Sequence, residues 1–201
     1  IKIVRPDINT CFANFKSDNE NFYYALGGIK NVGFEAIYNI VNEREKNGEF
    51  ASINDFVNRV NPKDINKLQL EGLVKSGAFD SINNNRQSIF DSIPKLIQKS
   101  KNVFDNKIAN QIDLFGNEET VEENLIDIND DWKFEERLTK EFEAVGFYIS
   151  DHPLNQYKSV YKHYNILNYN DFENNFDILS SNIACTVLKV QEKKTQKGSS
   201  Y

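Results

Sequence analysis

Methionine is absent from the 201 residues, position 1 included, where Ile stands, so the chain reads as a stretch of a longer one. Cysteine occurs only at Cys11 and Cys185, too far apart to found a disulfide framework or a zinc site. A reduced, cytoplasmic setting is the expectation. No apolar run approaches the roughly 18 residues of a membrane span, and no signal-peptide pattern opens the chain. P-loop and dinucleotide-binding glycine patterns are also missing. No Asp-x-Asp pair stands beside basic residues as two-metal chemistry needs, and Asp127, Asp130 and Asp131 lie in an acidic stretch where solvated charge is the better reading. His152 and His163 have no companion ligands at useful spacing, and His-Pro reads as a structural turn. These absences leave no catalytic centre and no metal site in the sequence.

Asparagine, in contrast, occurs 28 times, which reflects coding-sequence base composition more than structure. The net charge of −6 hides a split. Residues 113 to 143 hold twelve acidic against three basic residues, whereas 57 to 101 hold eight basic (Arg59, Lys63, Lys67, Lys75, Arg86, Lys95, Lys99, Lys101) against four acidic. A mildly basic module precedes an acidic tether, an arrangement compatible with a polyanionic partner.

The first 26 residues read as extended, with a hairpin turn at Ser17-Asp18-Asn19-Glu20. From Gly33 to about Lys46, Phe34, Ile37, Ile40 and Val41 follow helical spacing, and Gly48 is placed to end the helix. Ser52 is the expected N-cap of a short helix carrying Phe56, Val57 and Val60, and Asn61-Pro62 breaks it. Asp64 is the expected cap of the next helix, which ends near Gly77, and 85 to 101 reads as another amphipathic helix. Periodicity fades from about 101 to 131, resumes from Trp132 to Val145, and a β-rich run spans Ile183 to Val190.

Three motifs stand out. In Leu26-Gly-Gly-Ile-Lys-Asn-Val-Gly33, a glycine-rich turn before a helix exposes backbone N–H groups where the helix dipole also favours an anion. Gly28 and Gly33 allow positive φ and close approach, Asn31 tolerates the left-handed region, and Lys30 adds charge. An ordinary glycine turn reads the segment equally well. Leu73-Val-Lys-Ser-Gly-Ala-Phe-Asp80 repeats the logic with Lys75, Ser76 and Gly77, and two such hairpins could grip both strands' phosphates without base contacts. Gln111-Ile-Asp-Leu-Phe115 lies in the acidic tether. Leu114 and Phe115 there suit a peptide docking in a partner's groove, with Gln111 at its rim, or a tether packing on its own domain.

Together with Arg5-Pro-Asp-Ile-Asn9 and Glu143-Ala-Val-Gly-Phe-Tyr-Ile-Ser-Asp-His-Pro-Leu154, these motifs, in this order, closely resemble the C-terminal half of the alpha subunits of bacterial replicative DNA polymerase III, the C-family polymerases. The resemblance spans nearly the whole chain. It implies a mainly α fold built on a tandem helix-hairpin-helix module, with short β segments at the N-terminus (end of the fingers) and C-terminus (start of an OB fold). The implied divisions are 1–26 end of fingers, 27–101 duplex-DNA-binding module, 102–131 acidic tether with a clamp-binding peptide, 132–182 helical connector, and 183–201 start of an OB domain. Gly28, Lys30, Asn31, Val32, Gly33, Lys75, Ser76 and Gly77 would face DNA, and Gln111, Asp113, Leu114 and Phe115 would bind the clamp.

The implied function is to hold duplex primer-template DNA by sequence-independent phosphate contacts and to tether the polymerase to the beta sliding clamp for processive synthesis. The parent would be a DNA-directed DNA polymerase, a nucleotidyltransferase, with other replicase subunits as partners and no membrane. Its magnesium-binding palm would lie upstream of residue 1, leaving this stretch without catalytic residues or cofactor. Asn31 and Asp151 stand where the family usually has glycine. A rival reading is a helix-hairpin-helix adapter of a repair or nuclease complex.

Overall fold

A computed structural model describes residues 1–108, 125–175 and 177–193. The described residues divide into two compact units, Ile1–Ser150 and Asp151–Tyr201. The fold is mainly helical, as the sequence leads one to expect, with its strands at the N-terminus.

In the first unit, β1 (Lys2–Val4) pairs in parallel with β3 (Asn21–Tyr23), and β2 (Lys16–Ser17) pairs antiparallel with β3, giving the order β1-β3-β2. The turn between β2 and β3 forms where the sequence places it, because Asp18 organises it. The backbone N–H groups of Glu20 and Asn21 donate to Asp18 Oδ1 at 2.8 and 2.6 Å, and the Tyr23 hydroxyl donates to Oδ2 at 3.0 Å. These donors hold the Asp18 carboxyl at about 2. A folded-state value below the unfolded one means that the carboxylate supports the turn fully above about pH 4 and loses that support as pH falls through about 2. A carbon-detected NMR titration is expected to give Asp18 a midpoint near 2; a midpoint near 4, that of an ordinary carboxylate, would contradict the bonding pattern.

Helix α1 (Phe34–Asn47) buries Ile37, Ile40 and Val41 and stops at Gly48, whose φ is 86°. In α2 (Ile53–Arg59), Ser52 caps the first turn by accepting the Asp55 N–H at 3.1 Å. The cap of α3 (Lys67–Ser76) differs from expectation. Asn66, not Asp64, accepts the Gln69 N–H, while Gln69 Oε1 accepts the Asn66 N–H, a reciprocal capping box. Asp64 instead accepts a hydrogen bond from Asn39 of α1.

Helix α4 (Arg86–Ile108) runs past the expected end near 101, and residues 125–131 lie along it. Asp127 and Asn129 donate their N–H groups to the Ser92 and Ser88 hydroxyls, and Ser88 Oγ donates to the Asn129 carbonyl. The helix thus supplies residues 127 and 129 with hydrogen bonds that water would otherwise make. Helix α5 (Phe134–Val145) packs on α3 and belongs to the first unit.

The core gathers Ile8, Leu26, Ile37, Ile40, Phe50, Phe56, Leu70, Leu73, Ile89, Ile93 and Leu96. The second unit holds a 3-10 turn at Pro153–Tyr157, α6 (Lys158–His163) and α7 (Tyr169–Glu173). His152 Nδ1 caps that turn by accepting the Leu154 N–H, the structural use expected of His-Pro. Ile183 to Val190 forms no strand among the described residues: Val187, Leu188 and Val190 are exposed, and an isolated bridge joins Ile166 to Asn182.

Candidate nucleic-acid interface

The first glycine-rich turn lies between a 3-10 turn (Leu26–Gly28) and α1. Positive φ falls on Asn31 (64°), where a short polar side chain does what glycine would do. Gly28 and Gly33 do not use the left-handed region; Gly33 is the N-cap of α1 at φ −75°. Close packing is needed elsewhere. A Cβ at Gly27 would lie 2.8 Å from the Ala13 carbonyl oxygen, and one at Gly72 of α3 would lie 2.8 Å from the Lys30 carbonyl oxygen and 2.9 Å from Val32 Cγ2. Val32 is therefore a packing residue, buried against α3.

Several amides of the turn are already committed: Gly27 donates to Ala13, Ile29 to Leu26, Val32 to Ile29, and Lys30 to the Ala144 carbonyl of α5. The start of α1 is different. Gly33 brings no side-chain cap for the first-turn N–H groups, and Gly33, Lys30 and Asn31 are exposed. Gln69, whose Nε2 lies 3.2 Å from where a Gly33 Cβ would be, adds an amide donor from α3. Sequence reading missed Gln69; its place at the third position of α3, three residues after an Asn, was the available signal. Glu35 in the first turn opposes an anion there.

The second motif has a different local physics. Lys75, Ser76 and Gly77 form the C-terminal end of α3, where carbonyls rather than amides are left over. Ser76 is buried and donates to the Leu73 carbonyl at 2.9 Å, and the Gly77 N–H closes the helix in a left-handed cap at φ 82°. Lys75 Nζ pairs with Glu143 at 3.0 Å. The chain's own groups therefore use this motif for packing and for charge pairing.

What sits behind it is a buried charge network. Arg86 grips Asp80 through two bonds (2.8 and 2.7 Å) and donates to the Lys75 carbonyl at 3.1 Å. Its Nη1 lies 3.5 Å from Glu141 Oε2. Glu141 Oε1 accepts the Ile149 and Ser150 N–H groups at 2.7 and 2.8 Å. Burial works against the Arg86 charge, but the Asp80 bonds and the two carboxylates outweigh it and raise its pKa. Gly77 is obligatory here, since a Cβ would fall 2.1 Å from Arg86 Nη2. Arg44 of α1 does similar work, donating to the Ile8 and Cys11 carbonyls at 2.7 Å each. None of these pairings is visible in sequence spacing.

Gln111, Asp113, Leu114 and Phe115 lie outside the described residues. Among the described residues no group of three or more His, Cys, Asp or Glu side chains is placed to hold a metal ion. No described helix is long and apolar enough to cross a membrane.

The helix-hairpin-helix motif family matches residues 1–89. The DNA polymerase III subunit alpha of Borreliella burgdorferi is 38% identical over 172 residues, covering 84% of this chain and 15% of that protein. The same subunit of Caulobacter vibrioides is 37% identical over 154 residues (77% of this chain, 14% of that protein). That of Rickettsia felis is 33% identical over 200 residues (98% and 16%). The chain thus spans about one-sixth of the length of the curated relatives it matches. With a helix-hairpin-helix region and this extent of identity across such distant bacteria, the chain belongs to the DNA polymerase III alpha subunit family.

Proposed function

We propose that this chain serves a replicative polymerase by holding duplex DNA through phosphate contacts at the start of α1. Lys30, Asn31, Gly33 and the first-turn amides are the contacting groups, and Gln69 assists them. The observation that carries the reading is an uncapped helix N-terminus beside exposed Lys30 inside the region matched by the helix-hairpin-helix family. Backbone amides and a lysine read no bases, so the binding is sequence-independent and salt-sensitive. That suits an enzyme that copies any sequence. Lys75 joins only when a phosphate replaces Glu143 at its ammonium group. Nucleotidyl transfer belongs to residues outside this stretch, and cytoplasmic location follows from the replicative role.

The second half of the proposal is clamp tethering by Gln111, Asp113, Leu114 and Phe115, supported by the apolar pair inside an acidic stretch. Both halves are tested on the 201-residue chain. Fluorescence anisotropy with a labelled duplex at low salt is expected to show binding that Lys30→Glu weakens about tenfold or more and that salt suppresses. Unchanged affinity in Lys30→Glu would overturn the hairpin reading. Titration calorimetry with the purified sliding clamp is expected to show binding that Leu114→Ala/Phe115→Ala abolishes; no heat with the unaltered chain would end the tether reading.

A further inference from the structure

The turn at Gly27–Gly28 is flanked by two outward-facing aromatic stacks that the phosphate reading does not use. On one side Phe34 and Tyr38, one helical turn apart on α1, lie nearly parallel (17°), with centroids 6.5 Å apart. On the other, Phe15 and Phe22 stack at 19° and 5.5 Å on the outer face of the small sheet. All four are exposed (48%, 54%, 53% and 38%), although each is large and apolar. Both stacks touch the same turn: a Cβ at Gly27 would lie 3.2 Å from the Phe34 ring, and one at Gly28 would lie 3.7 Å from Phe15 Cζ. The result is a set of exposed rings on either side of the turn that precedes Lys30 and the α1 amides.

We infer that these rings stack the unpaired bases of single-stranded DNA next to the phosphate site. Ring faces alternating with anion-binding groups match the alternation of base and phosphate along a single strand, and stacking tolerates any base. Charge complementarity favours nucleic acid over an apolar peptide. Lys30 and the uncapped helix start border the Phe34 side, and Lys16 sits 4.0 Å from the Phe12 ring centroid beside the sheet. Of the nearby carboxylates, Asp18 is already occupied by its own turn, and Glu35 in the first turn of α1 is the charge that a phosphate must overcome. A duplex keeps its base faces covered and cannot use the rings, so they give the chain a preference for a junction between duplex and single strand. The inference rests on the hairpin reading of nucleic-acid binding and adds the kind of strand.

The test uses the same 201-residue chain and three labelled probes: an oligo-dT of about twelve nucleotides, an abasic oligomer of equal length, and a blunt duplex. The unaltered chain is expected to bind oligo-dT at least about tenfold more tightly than the abasic oligomer. Tyr38→Ala and Phe15→Ala/Phe22→Ala are each expected to lose about tenfold for oligo-dT and to leave duplex binding within about twofold. Tyr38→Phe, which keeps the ring, is expected to bind as the unaltered chain does and so separates stacking from folding. Equal binding of oligo-dT and the abasic oligomer overturns the inference. So does an equal loss of duplex binding in the ring variants, or self-association that the ring variants abolish without any oligo-dT binding. Failure of the hairpin reading is seen separately, as duplex binding indifferent to Lys30→Glu.

Discussion

Replacing Arg86 by Met is expected to destabilise the first unit by about 3–5 kcal/mol, the cost of stripping one partner from a buried ion pair. Arg86 has a side chain only 3% exposed, and Glu141 has one that is 1% exposed. Methionine fills the guanidinium's volume but leaves the buried Glu141 carboxylate without its counter-charge and the Lys75 carbonyl without its donor. Asp80 is partly protected, since Arg137 Nη2 also reaches its Oδ2 at 3.0 Å. Urea unfolding followed by circular dichroism reads the loss; a change below about 1 kcal/mol would show that the pair contributes no more than a surface salt bridge. The double variant Arg86→Met/Glu141→Leu is expected to recover only part of the loss. It removes the stranded charge, but the Ile149 and Ser150 amides then lose their acceptor.

Truncating Phe56 to Ala is expected to cost about 3–5 kcal/mol as well, through the cavity left in the core. Phe56 is 1% exposed and sits edge-to-face between Phe50 and Phe79, with centroids 5.1 Å from each. The three rings tie the loop before α2 to the residues after α3, so neither neighbour can collapse into the space without moving a helix. Phe56→Leu, which keeps most of the volume, is expected to lose much less, about 1.5 kcal/mol or below. The same denaturation experiment separates the two, and equal losses for Ala and Leu would point to a ring-specific effect in place of a cavity.

Local structure was largely legible in the sequence because it rests on nearest neighbours. The Asp18 turn, the Ser52 cap, the stops at Gly48 and Gly77 and the helical spacing of Ile37, Ile40 and Val41 each depend on a few consecutive residues. The exchange of Asp64 for Asn66 as cap shows the limit. Both are good capping residues, and the choice between them turned on whether Gln69 could return the bond.

The candidate site was legible as a motif but not as a geometry. The motif at Lys75, Ser76 and Gly77 looks like the one at Lys30 to Gly33, yet one ends a helix and the other begins one. Opposite ends of a helix offer opposite partial charges, so similar residues acquire opposite uses. The strand-like run at Ile183 to Val190 had β propensity but no paired strand among the described residues.

By itself, then, the amino-acid sequence determined the family, the mainly helical class and the positions of the Ser52 cap and the turns, since each is set by short-range patterns of residue type. Only the tertiary structure decided which amides stay open, which charges pair and where the aromatic rings face. Lys75 meets Glu143 and Arg86 meets Glu141 across 68 and 55 residues of chain, and Phe15 and Phe34 meet the same turn from different elements. Contacts of that separation come from how helices pack, and packing is a property of the whole core, not of any segment within it.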